Sequence, residues 1–403
     1  MSSPIGESPI YWKESRELWA CDINLGRRPN GKPHRIQITS KSRNKLVDKR
    51  RALIREIEDG TFTSGKVPTV SAWWDYWIEN IARPRVVPRV LANYRSYGRK
   101  HISQHLGKRK LNKLSVDDVR FLHSEMAKGG VSSRTIQAVH KTLSKCLKDA
   151  VREGVVGFNI CDRMDVPRAH SDERGAFSVA EVRSILRVAE GLGPKEHSKW
   201  LTALTVGTRQ AERLGLEWDR VDLKSGFIDL SWQIQSIPWA HGAGCGCKPE
   251  RQAASCVRRR PDAEESFELR PCYLGRWFVR PKTESSRRMN VLPEPLLDAL
   301  REWREVAPPN SLGLVWPDSR GNPVWGRDDR KEFKELCLSA GVRPRDVHSA
   351  RHSMVTILLE LGVDSEVIRQ IAGHSSVLAT RNYMHVSTGQ ARDAMGLLSK
   401  HLE

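Results

Sequence analysis

Residues 69–168 impose the strongest constraint on the fold, because apolar residues recur there at helical spacing and no strand-like pattern interrupts them. The segment TVSAWWDYWIENIA places Trp73, Trp74 and Trp77 on one stripe, which favours a buried core over a platform for stacking bases. SVDDVRFLHSEM opens with Ser115 as an N-cap and has acidic residues in its first turn. With VLANYRSYGRKHISQHL and SSRTIQAVHKTLSKCLKDAVREG, these segments predict a domain of four short helices.

The segments on either side of this helical region mix helix and strand patterns. Upstream, RELWACDINL and HRIQITS are strand-like, the Asn30-Gly31 pair between them favours a turn, and NKLVDKRRALIREIEDG has helical spacing. Downstream, SGFIDLSWQIQSI and RWFVRPKTESSRRMNVLP are strand-like within a largely helical region. Since 403 residues exceed one compact core, we expect a multidomain protein, mainly α with small β-sheets. The predicted domains are a small α+β domain at 1–64, a four-helix domain at 65–168 and a mostly helical α+β domain at 169–403.

The charge distribution predicts a polyanionic partner. Lys and Arg number 67 against 48 Asp and Glu, which gives a formal net charge of +19. Residues 26–51 hold ten Lys or Arg and one acid, and residues 81–114 hold ten and no acid, whereas solvated faces normally mix signs. We therefore expect two phosphate-binding surfaces whose affinity depends steeply on salt. The candidate DNA contacts are Arg27, Arg28, Lys32 and Arg35 in the first region, and Arg95, Arg99, Lys100, Lys108, Arg109 and Lys110 in the second.

The sequence also predicts the cellular compartment of the protein. No run of about 18 apolar residues predicts a membrane span, and the N-terminus MSSPIGESPIYWK lacks the basic and apolar regions of a secretory signal. Cys21, Cys146, Cys161 and Cys337 are scattered, as buried reduced thiols are in the cytosol. We expect a cytoplasmic protein that associates with the nucleoid of a bacterial host and has no membrane partner.

Two short stretches of the C-terminal region bring an arginine close to another functional side chain. In TVGTRQAERLGLEW, Glu212 lies three residues after Arg209, so both side chains face one side if the segment is helical. In HSARHS, His348 and Arg351 have the same i,i+3 spacing and are neighbours on one helix face. Either pair alone is more often a surface feature than a site.

Three further residues complete the candidate site. Lys282 falls between two strand-like runs, as at the tip of a hairpin. His374 stands directly after Gly373, where a helix should stop, and Tyr383 follows nine residues later in RNYMHV. A tyrosine near a chain end is usually an ordinary packing residue. The order and spacing of all five stretches together are what is specific.

These side chains could together cleave a phosphodiester without a metal. Two arginines supply rigid forks for the non-bridging oxygens of one phosphate, and two histidines can donate to it or move protons. Lys282 can protonate a leaving alkoxide, and Tyr383 can attack phosphorus as a covalent nucleophile. Phosphoryl transfer depends mostly on positioning and charge stabilisation, which two guanidinium groups can provide. A phosphotyrosine ester keeps the energy of the broken diester, so religation needs no ATP.

Residues 205–385 resemble the catalytic domain of the tyrosine recombinases, the phage integrase family. The family pattern is a G-x-R-x-x-E box, a hairpin lysine, an H-x-x-R-H box, a G-H box and then the nucleophilic tyrosine, and each has a match here. The resemblance implies that Arg209 and Arg351 clamp the phosphate and that Tyr383 forms a 3′-phosphotyrosyl intermediate. It implies that Lys282 is the general acid and that His348 assists proton transfer. It further implies that His374 donates a hydrogen bond to the phosphate and that Glu212 orients the active-site groups.

The resemblance extends upstream of the catalytic region. Residues 69–168 look like the family's helical core-binding domain, and residues 11–59 look like the arm-type DNA-binding domain of integrases. It implies a site-specific recombinase, the integrase of a phage or integrative element, which acts on double-stranded attachment sites as a homotetramer on synapsed DNA. A host DNA-bending protein and an excisionase are the further partners that it suggests.

Three other functions remain open on the sequence. Recombinases of the Xer type are the nearest alternative, but they typically lack the N-terminal arm-binding module. A type IB topoisomerase would share the catalytic logic without the three-part layout. A non-catalytic DNA-binding regulator would be expected to have lost at least one catalytic group, and none is missing here.

An insertion at residues 239–275 departs from the family pattern. It is rich in Gly and poor in apolar residues, and its Cys and His residues have short spacings that suit a structural zinc ion. The alternatives are a disulfide or redox pair, or a loop without a ligand. The candidate ligands are His241, Cys245, Cys247, Cys256 and Cys272.

Overall fold

The fold consists mainly of helices with small antiparallel sheets, which confirms the predicted class. The computed structural model describes residues 9–27, 33–58, 67–169, 175–248, 252–280 and 288–373. Two compact units are present: one is formed by Met1–Val86 with Asn93–His170, and the other by Val87–Ala92 with Ser171–Glu403. Among the helices so described, none has the length and apolar character needed to cross a bilayer.

The first unit begins with a three-stranded sheet and one helix. Its elements are β1 (Ile10–Lys13), β2 (Leu18–Arg27), β3 (Pro33–Ser40) and α1 (Arg43–Glu58). The strands are antiparallel in the order β1-β2-β3, and Cys21, Ile23 and Leu46 form the buried centre between sheet and helix. The two predicted strands and the helix are confirmed. Strand β1 was not predicted, since its four residues are too short to show an alternating pattern.

The rest of this unit is helical. Its helices are α2 (Val70–Trp77), α3 (Pro88–Tyr97, of which residues 93–97 belong to this unit), α4 (Ser103–Leu106), α5 (Val116–Lys128) and α6 (Ser133–Arg152). Trp73, Trp74 and Trp77 are buried, so the tryptophan stripe is core as predicted. The second predicted helix is interrupted by a π-helical turn that starts at Gly98. A Cβ there would lie 2.2 Å from Trp74 Nε1, so the glycine allows two helical segments to approach closely.

The second unit combines seven helices with three small sheets among its described residues. Its elements are α7 (Val179–Gly191), α8 (Pro194–Thr205), α9 (Gln210–Leu214), β4 (Val221–Asp222), β5 (Phe227–Asp229), β6 (Gln233–Ser236), β7 (Trp239–Ala240), β8 (Arg260–Pro261), β9 (Leu269–Tyr273), β10 (Arg276–Val279), β11 (Met289–Val291), α10 (Glu294–Val306), α11 (Gly326–Ser339), α12 (His348–Glu360) and α13 (Ser365–Ala372). The predicted capping box of Ser178 and Glu181 opens α7.

The strand pairing corrects one prediction. The sheets have the orders β6-β10-β9, β11-β5-β4 and β7-β8. Strands β10 and β11, which flank Lys282 in sequence, therefore lie in different sheets and are not the two arms of a hairpin. The reason is that β11 finds its partner in β5, about 60 residues upstream, where Asn290 pairs with Ile228.

Candidate active site

The turn between α8 and α9 brings the two predicted arginines to one place. Gly207 lies in this turn with φ +63°, a conformation that favours glycine. Its carbonyl accepts a hydrogen bond of 2.7 Å from Nη1 of Arg351, which α12 contributes. A Cβ on Gly207 would lie 2.1 Å from Met354 Cε, so a larger residue would also have to displace the end of this flexible side chain. Arg209 follows two residues later in the same turn.

The Glu212 carboxylate caps the start of α9 by accepting hydrogen bonds from Arg209. Arg209 itself precedes the helix, with φ −70° and ψ 147°, so the two residues do not share a helix face as predicted. They are nevertheless in contact, since the Arg209 N–H donates to Glu212 Oε2 at 2.8 Å and its Nη1 donates to Oε1 at 2.6 Å. The i,i+3 spacing brings Arg209 and Glu212 together because Glu212 caps the start of the helix, and not because the two residues share a helix face.

Arg288 is a second partner of Glu212 and was missed in the sequence. It stands directly before β11, and its Nη1 and Nη2 donate to the two carboxylate oxygens at 3.2 and 3.0 Å. Glu212 is only 1% exposed. Burial raises the pKa of Glu212, but the attraction and hydrogen bonds of Arg288, followed by those of Arg209, outweigh burial and lower the pKa below its usual value. The carboxylate is therefore ionised between two guanidinium groups.

The same two arginines hold the end of α13. Gly373 ends this helix in the left-handed conformation, at the predicted stop. Its carbonyl accepts a 2.8 Å hydrogen bond from Arg209 Nη2, and the carbonyl of Ile371 accepts one of 2.9 Å from Arg288 Nε. The residue immediately before His374 is thus bound directly to Arg209.

The first turn of α12 carries the remaining described candidates. His348 starts the helix, and its ring lies edge-on to that of His352, with 4.8 Å between centroids. Arg351 is 2% exposed, whereas Arg209 is partly open to solvent. Three arginines and one carboxylate in this region leave an excess of positive charge, which suits an anionic group such as a phosphodiester.

Several predicted residues lie outside the part of the chain that the structure describes. These are Lys282, His374, Tyr383, Arg28 and Lys32, together with the side chain of Arg27. Their roles stay predictions.

The predicted DNA contacts in the helical region differ in their surroundings. Arg95 forms an ion pair with Glu79 at 2.6 Å, and Arg109 forms one with Asp118 at 2.9 Å. Both carboxylates lie just outside the acid-free stretch, so its positive charge is partly neutralised in space. The other described candidates are exposed: Arg35, Arg99, Lys100, Lys108 and Lys110.

Four of the five candidate metal ligands come together in the insertion. The ligand atoms of His241, Cys245, Cys247 and Cys256 all lie within 4.8 Å of one another. Burial raises the pKa of Cys256, but hydrogen bonds with His241, Cys247 and backbone N–H groups outweigh it and lower the pKa to about 6. A thiolate at this position is thus accessible at neutral pH.

Cys272 is not part of this cluster. It lies on β9 and packs against an apolar group formed by Trp232, Ile234, Phe278 and Leu314. Burial raises the pKa of its thiol to about 11. The structure therefore reduces the candidate ligand set from five residues to four.

Comparison with known proteins identifies the architecture. The model of the phage integrase family matches residues 273–390, a range that contains the α12 residues and Tyr383. The model of the phage integrase N-terminal SAM-like domain matches residues 69–127, within the helical part of the first unit.

Relatives match almost the whole chain. An integrase of Saccharopolyspora erythraea is 27% identical over 99% of this chain and 97% of its own length. A XerC-like tyrosine recombinase of Caldanaerobacter subterraneus is 24% identical over 96% of this chain and 97% of its own length. The solved Tn1549 transposon integrase, in complex with transposon right end DNA, has the same fold, with a TM-score of 0.65 and 20% identity over 82% of this chain and 99% of that one. These matches support the tyrosine recombinase family, also called the phage integrase family, as the family of this chain.

Proposed function

We propose that this protein is the site-specific recombinase of a mobile element, which cleaves and rejoins DNA through a 3′-phosphotyrosyl intermediate at Tyr383. The observation that carries the proposal is the convergence of Arg209, Arg351 and the end of α13 at one turn. The positive charge of these arginines therefore lies next to Gly373, the residue after which the segment with His374 and Tyr383 begins. The match to the phage integrase family model and the similarity to integrases support the reaction type.

In this mechanism the guanidinium groups of Arg209 and Arg351 bind the non-bridging oxygens and stabilise the charge that develops on phosphorus. Glu212 is a positioning residue, because it binds Arg209 and leaves one of that residue's N–H groups directed at Gly373. Tyr383 attacks phosphorus, the P–O5′ bond breaks, and Lys282 gives a proton to the leaving 5′ oxygen. His348 assists proton transfer, and His374 donates to the phosphate. Rejoining is the reverse attack by a 5′ hydroxyl, which releases the tyrosine.

The proposed substrate is a pair of double-stranded attachment sites bound by a homotetramer. The Tn1549 relative was solved with the DNA of its own transposon end, which supports DNA as the partner of this chain. A host DNA-bending protein and an excisionase would then set the direction of the reaction.

Covalent trapping tests the proposed function. A duplex that spans an attachment site from the DNA flanking the gene, nicked close to the cleavage position, loses a short fragment on cleavage and cannot be rejoined. We expect the wild-type protein to form an adduct that survives denaturing electrophoresis, with the DNA mapped to Tyr383 by peptide mass spectrometry. An adduct mapped to another residue, or strand cleavage without an adduct, would contradict the mechanism.

Replacing Arg351 with lysine is expected to slow cleavage about 100-fold to 1,000-fold, because the positive charge stays but the planar fork for the phosphate is lost. Single-turnover cleavage of the nicked duplex measures this rate, and a gel-shift titration should give nearly unchanged DNA affinity. The exposed Arg343, eight residues earlier, provides a matched control: Arg343→Lys should cleave at the wild-type rate. Equal rates for Arg351→Lys and wild type would remove Arg351 from the phosphate site.

A recombinase of the Xer type is the second candidate, since the XerC-like relative also matches nearly the whole chain. The sheet-and-helix module formed by β1–β3 and α1 favours the integrase. Footprinting of the full chain on the element ends separates the two functions. Protected arm sites at a distance from the cleavage site would support the integrase, whereas protection of the cleavage site alone would support the Xer-type function.

A further inference from the structure

We propose that the insertion between β6 and β9 holds one structural Zn²⁺, bound by His241, Cys245, Cys247 and Cys256. This site lies outside the catalytic residues, and the proposed recombination chemistry does not use it. The inference rests on the geometry of the four ligand atoms, on the backbone around them and on the absence of an apolar core in this segment.

The geometry of the four ligands fits a tetrahedral zinc ion. Their ligand atoms lie within 4.8 Å of one another, and Cys245 Sγ is 3.6 Å from His241 Nδ1. Zinc takes sulfur at about 2.3 Å and nitrogen at about 2.0 Å, which places tetrahedral ligand atoms roughly 3.5–3.8 Å apart. Small rotations of these side chains therefore close the site.

The backbone winds tightly around the cluster. Gly244 and Gly246 flank Cys245 with φ +62° each, which lets the short C-x-C segment turn both thiols inward. A Cβ on Gly242 would lie 2.0 Å from the carbonyl oxygen of Arg258, so two chain segments meet closely there. The backbone N–H groups of Gly242 and Arg258 donate to Cys256 Sγ. Such outer hydrogen bonds orient metal ligands and stabilise thiolates.

The described part of this segment buries no apolar side chain apart from Cys256, so no apolar core holds it together without a metal. Among residues 241–248 and 252–260, Cys256 is the one buried residue, and Val257 is 94% exposed. The segment is joined to the rest of the unit by β7 and β8, whose pairing spans only two residues on each strand. Trp239 of β7 packs edge-on against Trp277. Ordering a chain costs about 1–2 kcal/mol per residue, and metal binding can supply that free energy where a core does not.

The chemical types of the four ligands indicate which metal ion the site would bind. Three thiolates and an imidazole are soft ligands that favour zinc over magnesium or calcium. Four protein ligands also fill a tetrahedral shell and leave no open position for substrate or water, which is the mark of a structural site. Arg258 and Arg259 border the cluster and offset the negative charge of a zinc ion with three thiolates.

Metal content is the direct test. Wild-type protein purified without chelators should contain about one zinc per chain by plasma mass spectrometry, as a single closed site requires. The double variant Cys245→Ser, Cys256→Ser should contain almost none. Cys272→Ser is the matched control, because it removes a thiol of the same insertion that lies outside the cluster, and it should keep its zinc. The proposal would be overturned if the wild-type protein contained no zinc, or if Cys272→Ser lost its zinc while the double variant kept it.

Measurements on the wild-type chain keep the test valid if the double variant does not fold. Cobalt exchanged into the protein should give the intense visible bands of a tetrahedral thiolate site, and an organomercurial that blocks thiols should release the metal. Trypsin should then cut the metal-free insertion near Arg258 much faster than the loaded one. A disulfide in place of the metal would instead leave two of the eight cysteines unreactive toward a thiol reagent under denaturing conditions, and that result would overturn the proposal.

Discussion

Tyr383→Phe is expected to abolish the covalent protein–DNA adduct while leaving DNA binding intact. The substitution removes only the oxygen that would attack phosphorus, so Arg209 and Arg351, which we propose to bind the phosphate, remain. Phosphoryl transfer depends on the exact position of the nucleophile, so the expected loss exceeds the roughly 100-fold to 1,000-fold effect of removing one charge-stabilising donor. The nicked duplex and a denaturing gel measure the adduct, and a gel-shift titration measures binding.

Tyr273→Phe is the control for this result. Tyr273 lies on β9 of the same unit and outside the catalytic pattern, so its variant should form the adduct at the wild-type rate. If Tyr383→Phe still formed an adduct, the nucleophile would have to be another residue and the mechanism would be wrong. If it lost DNA binding as well, the tyrosine would act in the fold and not in the chemistry.

Glu212→Ala is expected to lower the free energy of unfolding of the second unit by about 3–5 kcal/mol, because it leaves the buried guanidinium of Arg288 and the partly buried one of Arg209 without their counter-charge. Glu212 is fully buried and accepts hydrogen bonds from both Arg209 and Arg288. Urea denaturation followed by tryptophan fluorescence measures the change. Glu366→Ala is the matched control, since its ion pair with Arg369 is partly open to solvent and is expected to contribute little to stability. Equal midpoints for the two variants would contradict a central role for Glu212.

The same carboxylate predicts a pH dependence. Its pKa is lower in the folded protein than the ordinary value of 4.5, so the unfolded chain binds the proton more readily. The stability that Glu212 contributes is therefore present above about pH 4.5 and is lost as the pH falls through the lower, folded-state value. The Glu212→Ala variant should show a smaller loss of stability over that acidic range than the wild type.

The features that could be predicted from the sequence depend on near neighbours. The tryptophan stripe of α2, the caps at Ser115 and Ser178 and the helix stop at Gly373 each follow from a few adjacent residues, and the structure agrees with all four. The contact between Arg209 and Glu212 belongs to this group, although capping and not a shared helix face produces it.

The features that were missed depend on residues far apart in the chain. Arg288 reaches Glu212 across 76 positions, and nothing in RRMN distinguishes this arginine from a surface residue. The predicted hairpin around Lys282 was wrong because β11 pairs with the distant β5, and the pattern of a strand does not specify its partner. Cys272 was grouped with the other cysteines of the insertion by sequence distance, but β9 carries it into an apolar cluster.

The hydrogen bond from Arg209 to Gly373 has a consequence for how such proteins diversify. Its acceptor is a main-chain oxygen, so substitution of neighbouring side chains cannot delete it. The one local requirement is a residue that tolerates φ +63° beside Arg288, whose Nη1 would lie 2.8 Å from any Cβ at this position. The segment after Gly373 can therefore accumulate changes that suit new DNA sites or new protein neighbours, while the residue from which it starts stays bound to Arg209.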